Sequence, residues 1–287
     1  MTFRFANVSG RSALVDAAGR WFDAWSVSRG AISADPMAAW RQPDALHLAA
    51  RELSAADPDG ILDSADLRPP IPSPRSVFAV GLNYRSHAEE SAMAPPPAPL
   101  VFTKFPSCLV GPTDAVVLGG STDDYEAELV VVIGRGGRNI DPALAWDHVG
   151  GLTAGQDISD RSLQFASTPP HFDLGKSRDT YGPTGPVIVS TDSFADPGDL
   201  LVTCDVNAER RQEDRTSNLL FDVPTLVSYL SSILTLAPGD LIFTGTPEGV
   251  GASSQRYLKP GDVITTTIEG IGSMTNRCHA PAGATSR

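Results

Sequence analysis

Two carboxylates in the run Asp124-Tyr125-Glu126-Ala127-Glu128-Leu129-Val130-Val131-Val132-Ile133-Gly134 set the chemistry open to this chain. The apolar, β-branched tail of the run predicts a buried strand. Side chains alternate across a strand, so Glu126 and Glu128 point to the same face. Side by side at the mouth of a buried strand, they repel each other and lose hydration, and a cation or a shared proton must compensate. Asp157, in Gly155-Gln156-Asp157-Ile158-Ser159-Asp160-Arg161, is a third candidate. Three oxygen ligands suit a hard divalent cation, Mg²⁺ or Mn²⁺ before Zn²⁺, with Ca²⁺ as a stand-in in crystals. The competing reading is a solvated edge-strand pair bonded to nearby arginines, which so short a motif does not exclude alone.

Other segments carry groups that such a centre could use. In Gly81-Leu82-Asn83-Tyr84-Arg85-Ser86-His87-Ala88-Glu89-Glu90, His87 and Glu90 are three apart and share a face if the segment is helical. A carboxylate beside an imidazole raises its basicity and fixes its tautomer, which suits a general base acting on water. The glycine before this segment and Pro95-Pro96-Pro97 after it suggest a mobile loop, and a lid is one use for such a loop. Lys176 sits in the Gly-bounded loop that starts Gly175-Lys176-Ser177, where it could hold a substrate carboxylate or a developing enolate oxygen, or simply be solvated. Arg161 and Gln164 follow Asp157 at helical spacing and could face the same cavity. Thr244-Gly245-Thr246-Pro247-Glu248-Gly249-Val250-Gly251 reads as a tight strand exit. Its amides and the Thr246 hydroxyl could bind a carboxylate, or the segment could be only a turn.

The elements that must position these groups are mostly strands. Strands are expected at Phe3 to Val8, Ser12 to Val15, Val77 to Val80, Leu100 to Lys104, Leu129 to Ile133, Val187 to Ser190, Leu201 to Asp205, Leu241 to Thr244 and Val263 to Ile268. Helices are expected at Pro43 to Leu53 and at Val223 to Leu234. The second has an apolar stripe, Asp222 as N-cap and Pro238-Gly239 as its stop. The proline-rich stretch Leu67 to Pro74 forbids helix and reads as a linker between a small N-terminal unit, 1–70, and a larger one, 71–287. Many short strands and few helices predict a β-rich α+β fold, a sandwich, roll or barrel.

Composition narrows the partners. The 287 residues carry a net charge of −12, which repels nucleic acid and anionic membranes but permits a small anionic substrate at a locally positive site. Cys108, Cys204 and Cys278 are odd in number and widely spaced, so neither a disulfide framework nor a CxxC metal site is expected. With no signal-peptide pattern and no membrane-spanning run, a cytoplasmic location is expected.

Taken together and in order, six motifs resemble the fumarylacetoacetate hydrolase family. They are Gly-Leu-Asn-Tyr-x-x-His-x-x-Glu, Tyr-Glu-x-Glu-Leu, Gln-Asp-Ile-Ser-x-Arg-x-Leu-Gln, Gly-Lys-Ser, Thr-Gly-Thr-Pro-x-Gly-Val-Gly and Tyr-Leu-Lys-Pro-Gly-Asp, spread from Val77 to Asn276. The resemblance implies a mixed β-sandwich roll, usually dimeric, with Glu126, Glu128 and Asp157 as metal ligands. It implies a water-activating dyad of His87 and Glu90. Lys176, Arg161 and Gln164 would stabilise an oxyanion or orient substrate, Thr246 would meet a substrate carboxylate, and Lys104 stands where the family has a further basic residue. Gln156 replaces a more common Asn, and residues 165–174 follow no usable motif and are expected to shape substrate choice.

The expected activity is metal-dependent hydrolysis of a C–C bond in an acylpyruvate or related β-diketo acid through a metal-stabilised enolate, as in the catabolism of aromatic compounds. A decarboxylase of the oxaloacetate type or a 2-hydroxy-diene-dioate isomerase would use the same site, and a metal-stabilised small-acid binding protein is the non-enzymatic alternative. An iron oxygenase is disfavoured because no histidine pair is placed to complete a facial triad. Gly134-Arg135-Gly136-Gly137-Arg138 is not a dinucleotide fingerprint, because no suitable helix follows it.

Overall fold

The computed structural model describes residues 2–91 and 94–281. Its main strands are β1 (Arg4–Val8), β2 (Arg11–Val15), β3 (Arg20–Asp23), β4 (Val77–Gly81), β5 (Leu100–Thr103), β6 (Ala127–Ile133) and β7 (Val149–Gln156). They continue with β8 (Gly182–Val189), β9 (Leu201–Val206), β10 (Glu209–Arg215), β11 (Leu241–Phe243), β12 (Val263–Ile268) and β13 (Gly272–His279). The described residues form a twelve-stranded sheet whose backbone order is Gly60–Ile61, β3, β2, β1, β8, β7, β6, β11, β4, β5. A five-stranded sheet, β10, β9, β12, β13 and Val116–Val117, packs against it. Neighbours in the large sheet are mainly antiparallel, with β11 and β4 parallel, so the sheet is mixed, as the β-rich α+β reading expects. Among the described residues no helix is long and apolar enough to cross a membrane.

Strand β6 lies at the centre because its sequence can be buried on both faces. Leu129, Val131 and Ile133 pack towards Val202, Cys204, Ile264 and Met274 of the smaller sheet. Val130 and Val132 pack on the other side with Phe5, Trp40, Val77, Ala79 and Phe243. A strand covered on both faces has no polar alternation, which is why Leu129 to Ile133 is an unbroken apolar run. Its partner β7 is hidden in the sequence by Gly150, Gly151 and Gly155. Those glycines answer close packing: a Cβ on Gly155 would stand 2.5 Å from both Phe243 and Val130. Strand β10 is hidden for a different reason. Its residues are mostly charged because it is the edge of the smaller sheet, and only Gln212 is buried.

The first strands hydrogen-bond onto the large sheet, with Arg4 opposite Val189 and Phe5 opposite Ile188. Helix α1 (Pro43–Glu52) contributes Leu46 and Ala49 to the same buried cluster as Val130 and Phe243. Trp40 anchors the contact: its indole N–H donates to the Ile133 carbonyl at 2.9 Å. Apolar burial, the largest stabilising contribution in a fold, is here shared between residues near the N-terminus and the strand that carries the acidic cluster. Phe5 is fully buried, so Phe5→Ala should lower the unfolding free energy by about 3–5 kcal/mol in urea titration. A loss below about 1 kcal/mol would show that this shared core contributes little.

Candidate active site

Register between β6 and β7 builds the acidic cluster. Ala127 pairs with Gln156 and Glu128 with Gly155. Asp157, one residue on, lies opposite Glu126 and donates its N–H to the Glu126 carbonyl at 2.9 Å. Period-two alternation then sends Glu126, Glu128 and Asp157 to one face. One oxygen from each of these buried carboxylates lies within 4.8 Å of the others. The cluster sits where the apolar face formed by Val130 and Val132 ends.

Cations from three segments answer the charge. Lys176 follows helix α4 (Phe172–Gly175; α2 and α3 are the helices Arg85–Glu90 and Arg161–Gln164) and donates to Glu126 Oε2 at 2.6 Å and Asp157 Oδ2 at 2.8 Å. An ammonium has three protons, so one remains for the adjoining cavity. Arg161 opens α3 and donates to Glu126 Oε1 at 2.5 Å, and to Asp124 Oδ2 at 2.9 and 2.7 Å. Lys104 donates to Asp157 Oδ1 at 2.7 Å, to the Tyr181 carbonyl at 3.0 Å and to the Lys176 carbonyl. All three of its protons are spent on the protein, and its side chain is fully buried. The structure therefore places Lys104 behind Asp157, not at the cavity wall with the other basic residues.

The carboxylates divide under this field. Burial works to raise Glu126, but Lys176 and Arg161 outweigh it and hold its pKa down to about 2. Glu128 is pushed well above the usual range, by burial first and then by Asp157 and Glu126. Its Oε2 accepts the Gly245 N–H at 2.7 Å, and among the described residues no cation pairs with it. Gly245 must be glycine at that contact: its φ is +103°, and a Cβ would meet Asn83 Cβ at 2.7 Å. The donor set fits a hard divalent cation, since all three groups are oxygen ligands and, among the described residues, no cation forms an ion pair with Glu128.

A cavity of about 390 Å³ opens over this cluster, with Glu126, Arg161, Gln164, Lys176, Thr246 and His87 among its lining residues. Gln164 accepts from Arg161 at 2.9 Å through Oε1, which leaves its amide protons towards the cavity. Thr246 gives its proton to the Ala127 carbonyl at 2.9 Å and accepts from Gln212 at 2.8 Å, so its hydroxyl is committed to holding β6. The His87 segment is helix α2, not a loop; Ala92 and Met93, just beyond it, lie outside the described residues. His87 Nδ1 is 3.5 Å from Glu90 Oε2. Glu90 is itself fixed by Ser253 Oγ at 2.6 Å and by the Gly249 N–H at 3.0 Å.

Three groups with no role in the sequence reading complete the frame. Asp124 is fully buried, grips Arg161, and also accepts the Gly251 and Ala252 N–H groups at 2.6 and 3.0 Å. Its place in the run before Glu126 was the available signal. Gln156 accepts the Glu126 N–H at 3.0 Å and donates to Thr266 at 2.9 Å, so the longer amide is fully used where Asn is more common. Gln212 accepts the Ala127 N–H at 3.0 Å, and nothing in its charged surroundings in the sequence marks it out.

Comparison with known proteins places this arrangement. Residues 76–279 match the family model described as fumarylacetoacetate (FAA) hydrolase C-terminal. The human protein named oxaloacetate tautomerase FAHD2A, mitochondrial, is 39% identical over 81% of this chain and 75% of its own length. The crystal structure of 2-hydroxyhepta-2,4-diene-1,7-dioate isomerase from Mycobacterium marinum superposes with a TM-score of 0.74 at 30% identity, covering 98% of this chain and 99% of that one. Maleylpyruvate hydrolase from Sphingobium sp. SYK-6, crystallised with manganese(II) ion and pyruvate, gives a TM-score of 0.79 at 28% identity over 96% of this chain and 99% of that one. These relatives carry the names of three different reactions, while the family match spans every residue of the acidic cluster, its cations and the His87 helix. On that evidence the chain belongs to the fumarylacetoacetate hydrolase family.

Proposed function

We propose that this chain hydrolyses the C–C bond of an acylpyruvate or related β-diketo acid, with Glu126, Glu128 and Asp157 holding Mg²⁺ or Mn²⁺. The observation that carries the reading is one cavity lined by Glu126 of the buried carboxylate cluster, by Lys176 and Gln164 with protons to spare, and by His87, turned to the fixed carboxylate of Glu90. The manganese ion and pyruvate in the Sphingobium relative support it. When bound, the cation supplies Lewis-acid charge for the keto-acid end of the substrate.

The chain's own groups do the rest. His87, with Nδ1 towards Glu90, uses its other ring nitrogen to take a proton from water as that water attacks the distal carbonyl. Glu90 cannot swing away, because Ser253 and Gly249 hold both of its oxygens. The remaining Lys176 proton and the Gln164 amide stabilise the negative charge that develops as the C–C bond breaks and the electron pair passes to the pyruvate fragment. Arg161, locked by Asp124, keeps Glu126 ionised and oriented. Lys104 is a positioning residue for Asp157. His87 returns its proton to the carbon released on the pyruvate fragment, and pyruvate and a carboxylic acid leave.

A second reading is tautomerisation of oxaloacetate, favoured by the name of the human relative and by the fact that the same groups could move one proton without an attacking water.

Pyruvate release from an acylpyruvate should be seen with Mg²⁺ and be abolished by chelation, recovering on re-addition. Glu128→Gln keeps an oxygen for the Gly245 N–H, so circular dichroism should be unchanged while calorimetry shows divalent-cation affinity weakened by more than about tenfold; wild-type affinity would remove Glu128 from the metal set. His87→Ala should cost about 10²- to 10⁴-fold in acylpyruvate hydrolysis. Hydrolysis kept within about threefold of the wild type would deny His87 a water-activating role.

A further inference from the structure

The outer part of the same cavity has a chemistry of its own. Phe102, Phe172 and Phe165 form a ladder of edge-to-face contacts, with centroids 5.4 Å apart for the first pair and 6.3 Å for the second. The inner rung lies against the centre, with Lys176 Nζ 5.3 Å from the Phe102 ring centroid. The outer rung reaches solvent: Phe165 is 58% exposed. Leu82, Pro170 and Val250 complete the apolar lining. A large exposed phenylalanine next to a half-buried pair is costly to display in water unless something apolar covers it.

Charge points the same way. Among the described residues, the basic side chains lining the cavity are His87, Arg161 and Lys176. Arg161 and Lys176 lie at the inner end, with their protons directed mainly at Asp124, Glu126, Asp157 and Gln164. That end can take the single carboxylate of a keto acid. Along the outer rungs, Phe172 and Phe165, a second carboxylate would lose hydration against aromatic faces, whose quadrupole is negative; Lys176 lies at the inner rung, and His171 lines the neighbouring groove and not this cavity.

We infer that the acyl group of the substrate is uncharged and apolar, an aryl or alkyl group seated on the Phe102–Phe172–Phe165 ladder, and that keto acids ending in a second carboxylate are poor substrates. The inference rests on the acylpyruvate hydrolase reading, and it separates this chain from relatives whose printed names specify oxaloacetate or maleylpyruvate.

The test is steady-state pyruvate release from benzoylpyruvate and from fumarylpyruvate by the wild type, Phe165→Ala and Phe165→Arg. Because Phe165 is largely exposed, neither change threatens the fold. Wild-type kcat/KM should favour benzoylpyruvate by at least about tenfold, and Phe165→Ala should narrow that ratio by about 3- to 10-fold. Phe165→Arg, which adds a cation to the wall, should move the ratio towards fumarylpyruvate. A wild type that uses fumarylpyruvate equally or better, or a ratio that Phe165→Arg leaves unmoved, overturns the inference. Release from neither substrate overturns the hydrolase reading, and the pocket is then decided by calorimetry with unreactive keto acids. Tighter binding of phenylpyruvate than of 2-oxoglutarate sustains the apolar pocket, and equal or tighter binding of 2-oxoglutarate ends it.

Discussion

Mutual repulsion among four buried carboxylates, Asp124, Glu126, Glu128 and Asp157, is the constraint around which this protein is built. Removing an ionised group from water costs several kcal/mol even after the protein relaxes. The fold meets that cost by bringing Lys104, Arg161 and Lys176 from three separate segments to the end of one strand pair. The arrangement is asymmetric. Glu126 and Asp157 each take two cationic contacts, whereas Glu128 receives a backbone amide. The amide is supplied by Gly245, whose place is set by Asn83, which donates to the Thr244 carbonyl at 2.7 Å. The Gly-Leu-Asn-Tyr and Thr-Gly-Thr-Pro motifs, far apart in the sequence, are thus two sides of one clamp.

How much of this is legible in the sequence depends on whether a group's role is local. Glu126 and Glu128 could be assigned to one face because strand alternation is a two-residue rule, and the structure agrees. Asp222 could be read as a cap, and it accepts the Thr225 N–H at 2.9 Å. Asp157 and His87 could be singled out by residue type and spacing, but tying them to Glu126 and Glu128 as one site rested on motif order, which carries information from relatives and not from local physics. The sequence was silent where roles are set by distant partners. Lys104 reads as a basic residue near the site, yet which way its ammonium points depends on Asp157, Lys176 and Tyr181. Gln212 lies in a charged edge strand, and only the packing of two sheets turns its amide onto Ala127 and Thr246. Strand β7 was missed because its glycines, which permit the close approach of Phe243, are the residues that weaken any strand prediction.

The site also divides into a part that the family motifs define and a part that they leave open. Glu126, Glu128, Asp157, Lys176, Arg161 and His87 sit in recognisable runs and gather at the inner end. Phe165, Pro170 and Phe172 come from residues 165–174, which match no motif, and they line the outer part of the cavity. Relatives similar to this chain carry the names of a tautomerase, an isomerase and a hydrolase, three reactions on one fold. The motif-poor loop is therefore where functional divergence has room to occur without disturbing the carboxylate–cation balance.

The pairing of β1 with β8 bears on how the molecule is made. Strand β1 has a local partner in β2, but its other neighbour, β8, is complete only once Val189 has been synthesised. At ordinary elongation rates that interval is about 10 to 40 s. Throughout it, Phe3 and Phe5 have no completed core to enter, because Ile188, Leu241 and Phe243 of their cluster come later in the chain. The N-terminal hairpin can thus form its local pair early, but the long-range strand and the aromatic cluster that bury it arrive late, so completion of the sheet behind the acidic cluster waits on residues far along the chain.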